Sequence, residues 1–233
     1  HGREIMKINN RRYIGNKSKL LNFIYETVKN LGFGKSNVFF DVFAGTGVVA
    51  SFFAEKGYKT ILNDNLYSNA VAYEAFLGKG KLDQHKMSNL INKYNNINPV
   101  LLPVNYFSNI YAHKYFSVND AKKIGYIRDD IEKNKQALTN REYCYLITSL
   151  MYATDKIANT VGHFESFLNK EPLDKGVKLE NLDINTNIIP ADIYNEDSNK
   201  LAKKIKSDIA YIDPPYNASR RPSGLRKTTM GTN

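Results

Sequence analysis

The stretch FFDVFAGTG, residues 39–47, runs from apolar residues through one carboxylate into a turn with two glycines. Apolar residues then recur at Val48, Val49, Phe52 and Phe53, a helical spacing that closes at Gly57. KTILND (residues 59–64) reads as a second strand, and LYSNAVAYEAFL (66–77) as the next helix. Strand, glycine turn, helix and strand in that order open a parallel α/β sheet. The predicted fold class is therefore α/β, a Rossmann-like sheet.

Upstream, Leu20, Leu21, Ile24, Val28 and Leu31 predict a helix ending near Gly32 or Gly34. Downstream the character changes. Over residues 78–180 helical patterns dominate, as in NDAKKIGYIRDDIEKNK and TNREYCYLITSLMYATDKIAN, where Thr139 and Glu142 form a capping-box pattern. Strand-like runs return at TNIIP (186–190) and SDIAYID (207–213), separated by the amphipathic NKLAKKI. The expected organisation is a core of residues 6–77 and 181–220, a helical insertion over 78–180, and a tail of 221–233.

The chain has 233 residues and a net charge of +10. That balance suits a polyanionic partner, because neutralising phosphates releases counterions. A lysine-rich composition bias fits it equally well. Cys144 is the single cysteine, so there is no internal disulfide and no cysteine metal cluster. A reducing, cytoplasmic setting is expected, with no membrane span, since no apolar run reaches about 18 residues. The basic start HGREIMKINNRR is followed by no signal-like apolar core, and Met6 is the expected natural start, with residues 1–5 upstream of it.

The chemistry concentrates at three strand ends. Gly45 and Gly47 permit close backbone approach to a ligand, although such turns also serve purely structural ends. No GxGxxG or GKS/GKT follows, which excludes the dinucleotide fingerprint and the phosphate loop. Asp64 stands about 20 residues on, where a carboxylate can accept ribose hydroxyls or cap the following helix. In DPPY (213–216), Pro214 and Pro215 remove two N–H donors and stiffen the turn, leaving Asp213 and carbonyl oxygens as acceptors. Tyr216 adds a ring suited to stacking on a base. Such an acceptor array suits an exocyclic amine, whose N–H hydrogens it can bind as positive charge develops.

Together RRYIGNKSKLL, DVFAGTG, NDN and DPPYNASR resemble the Dam-like, D12-class DNA adenine-N6 methyltransferases of restriction-modification systems. The resemblance covers about residues 11–220 and implies S-adenosyl-L-methionine as cofactor, no metal, and double-stranded DNA as partner, with the target base flipped out. It implies Tyr13, Gly15 and Lys17 on the methionine side of the cofactor. Asp41, Phe43, Ala44, Gly45, Thr46 and Gly47 would form the cofactor loop, Asp64 and Asn65 the ribose site, and Asp192 with Ile193 the adenine site. Asp213, Pro214, Pro215 and Tyr216 would be catalytic, and the 78–180 insertion would read DNA. A Dam-like enzyme continues through further strands after this motif. Here RPSGLRKTTMGTN follows Arg220, which predicts a truncated or split enzyme prone to self-association or needing a complementing fragment. The alternatives are an inactive cofactor- or DNA-binding fragment and an RNA base amine methyltransferase.

Overall fold

The apolar run 38–41 forms β1 (Val38–Asp41) because it is buried on both faces, as strands of parallel sheets are. The computed structural model describes residues 7–8, 20–160 and 170–214. Before β1 lies α1 (Leu21–Asn30), and after it come α2 (Val48–Glu55), β2 (Lys59–Asn63) and α3 (Tyr67–Leu77). The helical region supplies α4 (Gln84–Asn95), α5 (Tyr106–Tyr111), α6 (Val118–Lys133) and α7 (Asn140–Ile157). The chain then returns with β3 (Asp192–Tyr194), α8 (Ser198–Leu201) and β4 (Ile209–Tyr211).

The four strands form one sheet in the order β3-β2-β1-β4, with every pairing parallel. This agrees with the α/β expectation. Phe39 pairs with Ile209 and Asp41 with Tyr211, so the strand bearing Asp213 lies directly beside the strand bearing the glycine loop. Both loops therefore emerge at one edge of the sheet, the carboxyl end, where ligands bind in open α/β folds.

One face of the sheet is covered by α1 and α2 through Phe39, Val48, Val49 and Phe53, with the Phe39 and Phe53 rings stacked at 3.9 Å between centroids. The other face carries Phe40, Val42 and Ile61 against Leu201 of α8. The region 78–180 is not set apart from the core. A single buried cluster runs from Leu62 of β2 through Tyr73 and Phe76 of α3 to Ile127 of α6 and Leu146 of α7. Arg141 on α7 fastens this layer by donating to the carbonyls of Ala75, Phe76 and Gly80, near the C-terminal end of α3. The Thr139–Glu142 capping box forms as expected.

Two expectations shift. TNIIP is a turn and extended chain, and the third strand begins just after it at Asp192, where residues pair with β2. Of NKLAKKI (199–205) only the first three residues are helical, as the end of α8. Tyr145 and Tyr152 are buried. Tyr145 accepts the Leu182 amide, and Tyr152 donates to the Ile8 carbonyl at 3.0 Å, tying the N-terminal segment to the helical layer.

Candidate functional site

The turn after β1 is held open by glycine. Gly45 and Gly47 both have positive φ, at 54° and 78°. A methyl group at Gly47 would lie 2.9 Å from Tyr73 Cε1 and 3.0 Å from Ile8 Cδ1, so the loop passes between α3 and the N-terminal segment with no space for a side chain. Tyr73 is fully buried, and its hydroxyl donates to the Gly45 carbonyl at 2.5 Å.

Most of the loop's amides are used internally. The Ala44 N–H donates to Asn63 O, the Gly47 N–H to Ala44 O, and the Gly45 N–H to Asp64 Oδ2 at 2.9 Å. Asp64 also accepts the Leu66 amide on Oδ1 at 2.8 Å, which starts the turn into α3. Each carboxylate oxygen keeps a second lone pair that a sugar hydroxyl can use. The expected pairing of the glycine loop with Asp64 is thus present as a direct hydrogen bond.

Asp41 is the last residue of β1 and is 1% exposed, and no side chain hydrogen-bonds either carboxyl oxygen, the Ala50 and Phe43 amides being the groups nearest to doing so. Burial raises its pKa to about 8, reinforced by Asp213 and then Asp64, while the Ala50 and Phe43 amides pull the other way. Three acids from three strand ends therefore converge: Asp41 at the end of β1, Asp64 just after β2 and Asp213 just after β4. An edge lined by carboxyl groups, with its amides already committed, repels phosphate and favours a cationic or hydroxyl-bearing ligand.

Thr46 and Ala44 are buried in the loop, and Phe43 packs beside Leu201 on the α8 face. Asn65 is exposed at the mouth of the turn. Asp213 is half-buried and Pro214 exposed. Asp192 departs from the site. It opens β3 in register with Ile61, two residues short of the β2 end, and its carboxylate ion-pairs with Lys79 beyond α3. Ile193 lies beside Leu62 and packs into the main core. The positions at the carboxyl end of β3 are Tyr194 and Asn195, and the Asn195 side chain donates to the Asp64 carbonyl at 2.6 Å. Tyr13, Gly15, Lys17, Pro215 and Tyr216 lie outside the described residues.

Asn63 is a site residue that the sequence does not single out. It is fully buried at the end of β2. Its Nδ2 donates to Val42 O, Glu196 O and Ser198 Oγ, and its Oδ1 accepts the Glu196 amide. One side chain thus sets the spacing of the loops after β1, β2 and β3. Its only sequence signal is a polar residue ending an apolar run. Among the described residues no group of acids, histidines and cysteines can hold a metal ion, and no helix is long and apolar enough to cross a membrane. Cys144 is buried, with its thiol pushed up to about 12 by burial.

The parallel sheet, the glycine loop tied to an acid on the next strand, and a third acid beside β1 define a Rossmann-like methyltransferase fold. Residues 13–227 match the family described as D12 class N6 adenine-specific DNA methyltransferase, and the chain belongs to that family. The match runs past Arg220 to residue 227. The chain is 37% identical over 227 residues to the modification methylase StsI of Streptococcus sanguinis, covering 91% of this chain and 34% of that protein. It is 33% identical to the type II methyltransferase M.FokI of Planomicrobium okeanokoites, covering 88% and 34%, and 33% identical to M.NlaIII of Neisseria lactamica, covering 88% and 64%. The chain spans about a third of the length of the first two relatives.

Proposed function

We propose that this chain carries the cofactor-binding and catalytic elements of a DNA adenine-N6 methyltransferase that uses S-adenosyl-L-methionine. The observation that carries the reading is the convergence of Asp41, Asp64 and Asp213 around a glycine loop whose amides are largely occupied. S-adenosylmethionine supplies an electrophilic methyl group on a sulfonium, together with a cationic ammonium and a ribose. Those features fit an acidic edge with spare carboxylate lone pairs.

In this reading Asp64 holds the ribose hydroxyls, and the absence of a side chain at Gly47 lets the loop pack against Tyr73 and Ile8 in the shape that receives the cofactor. Tyr13, Gly15 and Lys17 would line the methionine side, and Asp192 with Ile193 are kept as adenine contacts only if Asp192 gives up Lys79. Asp213 and the Pro214 carbonyl accept the two N6 hydrogens of a flipped adenine, and Tyr216 stacks on the base. Accepting those hydrogens localises the nitrogen lone pair and stabilises the positive charge that develops on N6. A new N–CH3 bond forms as the S–CH3 bond breaks, and the displaced N6 proton leaves to water. The chain's contribution is alignment and charge stabilisation.

Double-stranded DNA is the proposed partner, with the α4–α7 layer of 78–180 as the recognition region. A complementing segment or second copy is proposed against β4, an edge strand of the described sheet, where the following Ile212 is 66% exposed. Tritium transfer from labelled cofactor to unmethylated genomic DNA tests the function. Transfer that vanishes in Asp213→Ala while calorimetric cofactor binding persists supports it, and absence of both binding and transfer refutes it. Transfer to RNA with none to DNA would favour the RNA amine alternative, and binding without transfer the inactive fragment.

A further inference from the structure

Asp41 is the innermost of the three acids, and among the described residues its surroundings offer no counter-charge. β2 presents Leu62 in register with it and Asp64 beyond, while β4 presents Tyr211 in register and Asp213 beyond. From α3 the Tyr73 hydroxyl is committed to Gly45 O, and the first turn of α2 brings only Val48, Val49 and Ala50, of which the Ala50 amide bears on the carboxyl. The side chains that act on it most strongly are themselves acids. A carboxylate removed from water, with no side-chain partner and two acidic neighbours, takes up a proton rather than remain ionised. Both oxygens of Asp41 meet that description.

We propose that Asp41 carries a proton in the cofactor-free protein and releases it to solvent when S-adenosylmethionine brings its positive centres to the glycine loop. The inference rests on the cofactor reading given above. The balance is simple: the carboxyl O–H bond breaks, the proton passes to water or buffer, and the carboxylate stays to face the bound cation. The neutral form keeps the empty site from holding a third charge beside Asp64 and Asp213. The ionised form appears only when a cation compensates it. Cofactor affinity therefore rises about tenfold per pH unit below the titration of the free carboxyl and levels off above it.

Two measurements on the full chain test this. Calorimetric titration with S-adenosylmethionine at about pH 7, in phosphate and in Tris, reads proton exchange from the dependence of heat on buffer ionisation enthalpy. About one proton released by the parent chain and about none by Asp41→Asn is expected. Carbon-13 NMR of carboxyl-labelled aspartate in the cofactor-free parent needs no variant, and should show one resonance titrating several pH units above the rest. Binding heat that does not depend on buffer overturns the proton release, as does a free protein whose aspartates all titrate in the acid range. No binding heat at all overturns the cofactor reading instead, and the NMR titration still decides whether Asp41 holds the proton.

Discussion

A single methyl group at Gly47 probes the loop, the N-terminal segment and α3 together. Gly47→Ala imposes two costs. At φ 78° an L side chain is strained, at about 1–2 kcal/mol. The added carbon also meets Tyr73 Cε1 at 2.9 Å and Ile8 Cδ1 at 3.0 Å, and Tyr73 cannot retreat because it is fully buried and bonded to Gly45 O. Overpacking against such a neighbour adds about 1–3 kcal/mol. The total of about 2–5 kcal/mol corresponds to a fall in Tm of roughly 4–20 °C for a chain of this size. Gly57→Ala is the matched control. Its φ is 89°, but the added methyl meets only the flexible, exposed Lys35 side chain at 3.2 Å, so the backbone strain of about 1–2 kcal/mol stands nearly alone. Differential scanning calorimetry and cofactor titration on both variants make the comparison. Gly47→Ala should melt well below Gly57→Ala and lose at least about tenfold in cofactor affinity, whereas Gly57→Ala should bind as the parent does. Equal melting temperatures, or unchanged affinity in Gly47→Ala, would refute the reasoning that the loop is packed to contact and shaped for the cofactor.

Stability should depend on pH through Asp41. Its folded pKa, about 8, lies above the ordinary value of 3.8, so the native state binds more protons than the unfolded chain between those limits. The contribution is fully present below about pH 4 and is lost as pH rises towards about 8, reaching at most about 6 kcal/mol, and denaturant melts across that range should show a fall that Asp41→Asn removes. Asn63→Ala breaks four hydrogen bonds and strands the Glu196 amide, so urea melts should show a loss of about 2–4 kcal/mol together with weaker cofactor binding. Asp192→Ala breaks an ion pair exposed on both sides, and should change stability by less than about 1 kcal/mol and cofactor affinity by less than about threefold. A tenfold loss of affinity there would return Asp192 to the cofactor site.

Local signals in the sequence determined the kind of fold and the three strand ends that carry the chemistry. Buried runs such as 38–41, the glycines at 45 and 47, and the Thr139–Glu142 box are read from hydrogen bonding and periodicity within a few residues, and each stands where expected. Family resemblance added a role for Asp41 but not its state. Only the tertiary structure decided that β4 lies against β1, that Asn63 joins three loops, and that Asp192 turns to Lys79. Those outcomes depend on partners far apart in the chain, Asn63 and Glu196 being separated by 133 positions. The register of β3 on β2 illustrates the point: a shift of one or two residues along a three-residue strand decides which side chain reaches the carboxyl edge, and nothing within the stretch ADIYN specifies it. The same holds for Asp41. Its protonation follows from burial and from two acids that chain folding brings to it, so the charge of the site is a property of the assembled sheet rather than of any motif.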